Sequence, residues 1–264
     1  MSMLDLQIQD GVARLTINRP EARNAMTRAM WGDLVALLQE TASNNKVRCL
    51  VLTGADPAFC AGGDVKAMVD RLDGKHMLSL QEETDLIRGY MEASRLLHEM
   101  AKPTLAVING ACAGAGFSLA MACDLRLASR TAKFTTAFAR VAGSGDFGGS
   151  WFLSKIVGTA KARELYYFAT GFTGEQAESM GVVNRAVTAD ELDSVASQWA
   201  RQLAEGPSVA HGYMKSNFNL AEHASLQDVL DQEAQNMARS FRTADHAEAA
   251  RAFIEKRTPK FEGK

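Results

Sequence analysis

Little in the sequence could hold a metal or a disulfide framework. Cysteine occurs four times, as Cys49, Cys60, Cys112 and Cys123, with no Cys-x-x-Cys pair. Histidine occurs five times, at His76, His98, His211, His223 and His246, too scattered for zinc-ligand spacing. No metal site is expected, and reduced thiols in a cytoplasm are the simplest reading. Charge of one sign is lacking too. The formal net charge is −2, which gives no general attraction to nucleic acid or to an anionic membrane. There is no apolar run of the ~18 residues that a spanning helix needs. The opening stretch Met1 to Asp10 is short and carries acidic residues, unlike a secretory leader. Two familiar signatures are also missing. Gly114-x-Gly116 lacks the third glycine of a dinucleotide fingerprint. Ser118 lies in Gly-Phe-Ser-Leu-Ala, without the second glycine of a nucleophile elbow.

What is present is an ordinary globular composition, 47% hydrophobic over 264 residues, enough for a sizeable core in one or two domains. Leu4, Leu6 and Ile8 alternate with polar residues as in a half-exposed strand, and Asp10-Gly11 signals a hairpin to a return strand, Val12 to Ile17. Thr27 can cap a helix running to about Ala42. Arg48 to Leu52 reads as a central strand. Phe59 to Lys66 and Thr104 to Ala120 then repeat one pattern: strand, small-residue turn, helix start. Residues 70–82 read as a mobile loop, and Gln81 to Met100 as one helix. Short strands are expected at Asp124 to Ala128, Ala132 to Thr136 and Val182 to Val187, with helices at Ser150 to Val157 and Ala160 to Thr170. From Asp190 onward the pattern is helical, and a boundary is placed at Gly206-Pro207. This divides the chain into a core, 1–206, and a helical region, 207–264.

The stretch Ile108 to Ala120 carries the chemistry. Small residues at 111–116 let backbone N–H groups approach a ligand closely, and a helix start presents unpaired donors and a positive dipole end. Such a turn can hold a negative oxygen, or can simply pack closely. Asp146, in Gly143-Ser144-Gly145-Asp146-Phe147-Gly148-Gly149-Ser150-Trp151, stands just before a helix and serves there either as an N-cap or as an acid–base group.

Several stretches, in order, resemble the crotonase (enoyl-CoA hydratase/isomerase) superfamily over nearly the full length. They are Leu15 to Pro20 with Arg23-Asn24-Ala25, Phe59 to Asp64, Asn109 to Gly116, Cys123 to Arg126, and Ala252 to Arg257. The resemblance implies an α/β fold, a crotonase-like spiral of repeated strand-strand-helix units with a C-terminal helical region used in assembly. It implies an acyl-CoA thioester as substrate, coenzyme A being part of that substrate and no further cofactor being needed, and a homotrimer or dimer of trimers. It places an oxyanion hole on the N–H groups of Gly63 and Ala115. It places coenzyme A contacts on Arg23, Ala25, Ala61, Asp64 and Val65, with Phe253 and Lys256 reaching over from a neighbouring subunit. Arg23 can also be a solvated loop arginine, Lys256 a surface lysine, and Asp64 a helix cap.

The chain departs from the hydratases of that family where they carry two glutamates. Ser118 and Phe138 stand there, and neither exchanges protons usefully at neutral pH. Asp146 is the remaining acid, and Asp-x-Gly-Gly-x-Trp most resembles the branch that isomerises ring epoxides of phenylacetyl-CoA. The dehalogenase branch has a histidine where Met91 stands, and His98 two turns on reads as structural. Ser118, Phe138, Phe147 and Met91 are expected to border the acyl pocket, Phe134 to lie in the core, and Ser118 to bond either a ligand or its own helix. The resemblance implies a one-carboxylate isomerase. Hydratase, non-catalytic acyl-CoA binder, thioester hydrolase and dehalogenase are the alternatives.

Overall fold

Residues 2–72 and 78–264 are described by the computed structural model of the chain. Strands β1 (Leu4–Gln9) and β2 (Val12–Ile17) pair antiparallel. Asp10 and Gly11 between them have φ of 50° and 80°, the left-handed pair a tight two-residue hairpin needs. Helix α1 (Arg28–Ser43) starts as expected, with the Thr27 hydroxyl accepting from Met30 N–H. There follow β3 (Cys49–Gly54), β4 (Ala58–Cys60), α2 (Val65–Leu72), α3 (Leu80–Tyr90), α4 (Glu92–Glu99), β5 (Thr104–Ile108), β6 (Ala111–Ala113), α5 (Ala115–Ala122), β7 (Leu125–Ser129) and β8 (Lys133–Thr135). Then come α6 (Gly149–Val157), α7 (Thr159–Phe168), β9 (Phe172–Thr173), α8 (Gly174–Ser179), β10 (Arg185–Val187), α9 (Leu192–Glu205), α10 (Ser208–Ala221), α11 (Leu226–Ser240) and α12 (Ala244–Glu255).

The strands form two sheets, ordered β1-β2-β3-β5-β7-β10 and β4-β6-β8-β9. From β2 onward the larger sheet is parallel. Consecutive pairs β3–β4, β5–β6 and β7–β8 each place one strand in the large sheet and the next in the small one. A helix follows each pair. This is the strand-strand-helix spiral expected of the sequence. β3 and β5 are buried along their whole length, as parallel strands covered on both faces must be. One cover is α9, whose Leu192, Ala196, Ala200 and Ala204 recur every fourth residue. Its small side chains let it lie close on Val51, Leu105, Val107 and Leu127.

Two expectations need correction. The helix read across Gln81 to Met100 is two helices, α3 and α4, with the break at Met91, whose N–H is shared between the Ile87 and Gly89 carbonyls. The loop read at 70–82 is shorter than expected: α2 continues to Leu72, and Ser79 starts α3 in a capping box with Glu82. Residues 73–77 of that loop lie outside the described residues.

Several of the family marks are structural staples. Asn24 is fully buried; it donates to the Ala55 and Ala58 carbonyls and accepts from Arg19 N–H. The Asp124 carboxylate accepts from Thr104 N–H and from Lys215 Nζ of α10, tying the first C-terminal helix to the core. The Arg126 guanidinium, buried, donates to the Val182 and Cys123 carbonyls. An added Cβ at Gly110 would lie 2.1 Å from the Pro57 carbonyl oxygen, so glycine is required where the two strand-turn units touch.

Candidate active site

Two glycine turns lie side by side. Gly62 (φ 94°) ends the first and Gly114 (φ 52°) the second. A Cβ built on Gly62 would stand 3.5 Å from Ala115 N and 3.6 Å from Gly114 Cα. Met26 pairs with Gly63 as an isolated parallel bridge. The bridge uses Met26 N–H to the Gly62 carbonyl and Asp64 N–H to the Met26 carbonyl. Those bonds flank Gly63, so its own N–H points away from Met26. Neither Gly63 N–H nor Ala115 N–H has a partner among the described residues. Ala115 is the first residue of α5, and Gly114 before it makes no side-chain cap. Its donor therefore carries the positive end of a buried helix. Gly116 keeps this geometry, because a Cβ there would lie 2.4 Å from the Cys60 carbonyl oxygen of β4.

Asp146 is not an N-cap. Helix α6 begins at Gly149, its N-cap is Gly148 in the left-handed region, and no side chain caps it. Asp146 Oδ1 is instead buried with no hydrogen-bond partner among the described residues. Burial pushes its carboxyl up to about 6, because the charged form loses hydration and gains nothing in return. Its loop is held from both sides. Gly145 (φ 101°), Phe147 (φ 51°) and Gly148 (φ 72°) surround it in backbone conformations open mainly to glycine. Phe147 accepts that strain while its ring packs on Trp31, centroids 4.3 Å apart. Phe147 is 3% exposed, and its ring anchors the loop in the core.

Phe138 joins the two parts. Its ring lies 4.0 Å from the Cβ position of Gly114 and 3.8 Å from that of Gly145, and it stacks on Tyr166 of α7 at 5.7 Å. Phe138 and Tyr166 thus put an aromatic surface beside the second glycine turn and the Asp146 loop. Ser118 is fully buried on α5 and bonds back to the Gly114 carbonyl at 3.4 Å, the within-helix alternative. Phe134 lies in the core between Phe117 and Phe172, as expected. Met91 is partly buried against the main core at the break between α3 and α4. His98 sits edge-on to Trp151 and Phe152, a packing role. Burial pushes the Cys49, Cys60 and Cys123 thiols up to about 12, which leaves no thiolate nucleophile near neutral pH.

The residues assigned to coenzyme A divide into two groups. Arg23, Ala25, Ala61, Asp64 and Val65 share one rim. Ala61 N–H donates to the Arg23 carbonyl, and Arg19 donates to both the Ala25 carbonyl and Asp64 Oδ2. Arg23 is exposed, and Val65 is 56% exposed at the start of α2. The Arg19 guanidinium holds the Asp64 carboxyl below its ordinary value, and Asp64 Oδ1 accepts from Lys66 and Ala67 N–H. Both Asp64 oxygens therefore have partners, and Oδ1 caps the start of α2. Phe253, 87% exposed, and Lys256, the left-handed cap of α12, make no hydrogen bond or ring contact with this rim among the described residues. A wide cleft of about 1040 Å³ opens elsewhere, between α9 and residues 258–261, and shares no residue with the site. Sequence reasoning passed over Tyr166 and Arg19. The first reads as one more apolar helix residue in Ala160 to Thr170, and the second as a loop charge.

Two unpaired backbone donors on adjacent glycine turns and a carboxylate with one buried, unpaired oxygen are the chemical groups of the site. The match to the enoyl-CoA hydratase/isomerase family model spans residues 7–264, and the chain belongs to that family. It is 36% identical over 265 residues, all of both chains, to the 1,2-epoxyphenylacetyl-CoA isomerase of Escherichia coli. It is also 36% identical over 258 residues to a Rhodobacter capsulatus protein named "Probable enoyl-CoA hydratase", covering 98% of this chain and 97% of that one. Among solved structures, an enoyl-CoA hydratase from a Polaromonas species superposes with a TM-score of 0.91 at 29% identity, over 98% of this chain and 99% of that one. Among the described residues no helix is long and apolar enough to cross a membrane.

Proposed function

We propose that the chain is a one-carboxylate isomerase of acyl-CoA thioesters. The observation that carries this reading is Asp146: a half-buried carboxylate whose Oδ1 is buried and unpaired, on a loop that shares the Phe138 ring with the second glycine turn, while the family resemblance puts Ser118 and Phe138 where the hydratases carry glutamates. Asp146 removes a proton from a carbon of the acyl group that is conjugated with the thioester. The electron pair of that C–H bond moves into the π system, and the negative charge settles on the carbonyl oxygen, held by Gly63 and Ala115 N–H. The carboxyl group, whose proton can exchange with solvent in the meantime, then protonates a different carbon of the system. The composition of the product is that of the substrate, and no water is added. Losing one such donor costs about 3–4 kcal/mol of barrier.

Coenzyme A is bound as part of the substrate along the rim of Arg23, Ala25, Ala61, Asp64 and Val65, with Phe253 and Lys256 supplied by a neighbouring copy. The single chain leaves Phe218, Phe253 and Ile254 75%, 87% and 79% exposed on α10 and α12, which supports a trimer or a dimer of trimers built through residues 207–264. The four buried thiols suit a reducing cytoplasm.

Turnover of a β,γ-enoyl-CoA tests the reading. The wild type converts it to the conjugated isomer without change of mass, and Asp146→Asn loses at least about 1000-fold in kcat. Addition of water to crotonyl-CoA at a comparable rate, untouched by Asp146→Asn, would replace this reading with hydration, the activity in the name of the Rhodobacter relative.

A further inference from the structure

The two donors proposed to hold the oxyanion are supported differently. Ala115 N–H belongs to the first turn of α5, which is buried throughout. Gly63 N–H belongs to a peptide between two glycines, the first at φ 94°, and neither carries a side chain to fix it. Its direction is set from the segment 23–26. Met26 N–H donates to the Gly62 carbonyl at 2.8 Å, and Asp64 N–H donates to the Met26 carbonyl at 3.1 Å. The Gly62 carbonyl and Gly63 N–H share one planar trans peptide and point opposite ways. Wherever Met26 holds that carbonyl, the donor of Gly63 is aimed away from it.

The segment that does the holding is itself irregular. Arg23 and Asn24 stand at φ 52° and 60°, in a region that costs side-chain-bearing residues strain. The Asn24 amide fixes one side of it, on the Ala55 and Ala58 carbonyls. Arg19 fixes the other. Its Nη1 donates to the Ala25 carbonyl at 3.0 Å and to Asp64 Oδ2 at 2.7 Å. One nitrogen therefore bonds the residue before Met26 and the residue after Gly63. Asp64 Oδ1 accepts from Lys66 and Ala67 N–H, which ties the pair to the start of α2. The two side chains are 22% and 15% exposed, and ion pairs open to water add little to stability. Stability alone does not account for a pair whose bonds all converge on one donor.

We propose that Arg19 is a positioning residue: through its ion pair with Asp64 and its bond to the Ala25 carbonyl, it aims Gly63 N–H at the thioester carbonyl oxygen. The proposal rests on the reading of Gly63 and Ala115 as oxyanion donors. Arg19 touches no reacting atom. Glu21 also approaches the guanidinium, with Oε1 3.7 Å from Nε, but has no hydrogen bond to the glycine turn among the described residues. It supplies the control.

The stretching frequency of the thioester carbonyl reports the donors directly. Butyryl-CoA with a heavy-carbon label at the carbonyl has no double bond to move. It is bound to the wild type, Arg19→Gln, Asp64→Asn and Glu21→Gln, and isotope-edited infrared difference spectra are recorded. The wild type and Glu21→Gln are expected to displace the band to lower frequency than in water. Arg19→Gln and Asp64→Asn are expected to lose a large part of that displacement. In Arg19→Gln, kcat for a β,γ-enoyl-CoA falls about 10- to 100-fold while KM changes little. Asp64→Asn keeps an oxygen to cap α2, so it reads the ion pair even if Arg19→Gln unfolds. A displacement kept in full by the folded variants, with only their melting temperatures lowered, overturns the proposal and leaves the oxyanion reading in place. A wild type without any displacement overturns the oxyanion reading, and the proposal with it.

Discussion

Asp146 stores a conflict between stability and chemistry. Its carboxyl titrates at about 6 in the fold against 3.8 for the ordinary group. Between those values the folded chain holds the proton more tightly than the unfolded chain does. Stability therefore falls as pH rises from about 4 to about 6, and the penalty persists above. At roughly 1.4 kcal/mol per pK unit the ionised carboxylate costs about 2–3 kcal/mol near neutral pH. Asp146→Asn is expected to unfold at higher denaturant concentration at pH 7, with its advantage over wild type shrinking as the pH is lowered towards 4. Equal midpoints across that range would show that the carboxylate is solvated. The same titration sets the rate. For the wild type, kcat/KM rises with pH through about 6 and is flat above, because the base must be ionised to take a proton.

At the scale of the elements, the turn proposed to hold the oxyanion depends on how closely α5 approaches β4. Gly116→Ala places a methyl 2.4 Å from the Cys60 carbonyl oxygen. The helix start must move, at a cost of about 1–3 kcal/mol, and Ala115 N–H moves with it. A drop in kcat larger than the change in KM is the expected result. Gly32, in α1, has nothing within 4 Å of its Cβ position, and Gly32→Ala is expected to stabilise the chain by about 0.5–1 kcal/mol without touching activity. Melting curves and steady-state rates on the pair check both statements.

These elements were legible in the sequence to different degrees. The strand-turn-helix units at Phe59 to Lys66 and Thr104 to Ala120 could be read because apolar runs and glycine turns are local signals. So could the cap Thr27, whose hydroxyl accepts from Met30 N–H. The break at Met91 could not, since no proline or cap residue marks it. Asp146 illustrates the limit at the site. An aspartate before a helix reads equally as cap or base, and the choice turns on where α6 starts, three residues further on at Gly149. Phe147 and Tyr166 could not be told apart in the sequence as an anchor and a chamber wall. Their roles are set by contacts with Trp31 and Phe138, 116 and 28 positions away in the chain.

For the whole molecule, one buried ammonium is central to the link between core and C-terminal helices. Lys215, 7% exposed, donates to the Leu97 and Lys102 carbonyls and to Asp124 Oδ2. Lys215→Met leaves the carboxylate without its counter-charge and is expected to cost about 3–5 kcal/mol, read as a lowered urea midpoint. Small-angle scattering or sedimentation at micromolar concentration is expected to give the mass of three or six chains of 28.6 kDa; a monomer mass would contradict the shared coenzyme A site. The central claim is that Asp146 alone carries the proton, and isotope exchange addresses it most directly. Wild type and Asp146→Asn are incubated in heavy water with a β,γ-enoyl-CoA and with phenylacetyl-CoA, and deuterium uptake is followed by mass spectrometry. The account predicts uptake next to the thioester in the wild type, movement of the double bond without added water, and neither in Asp146→Asn. Undiminished exchange in Asp146→Asn would contradict it.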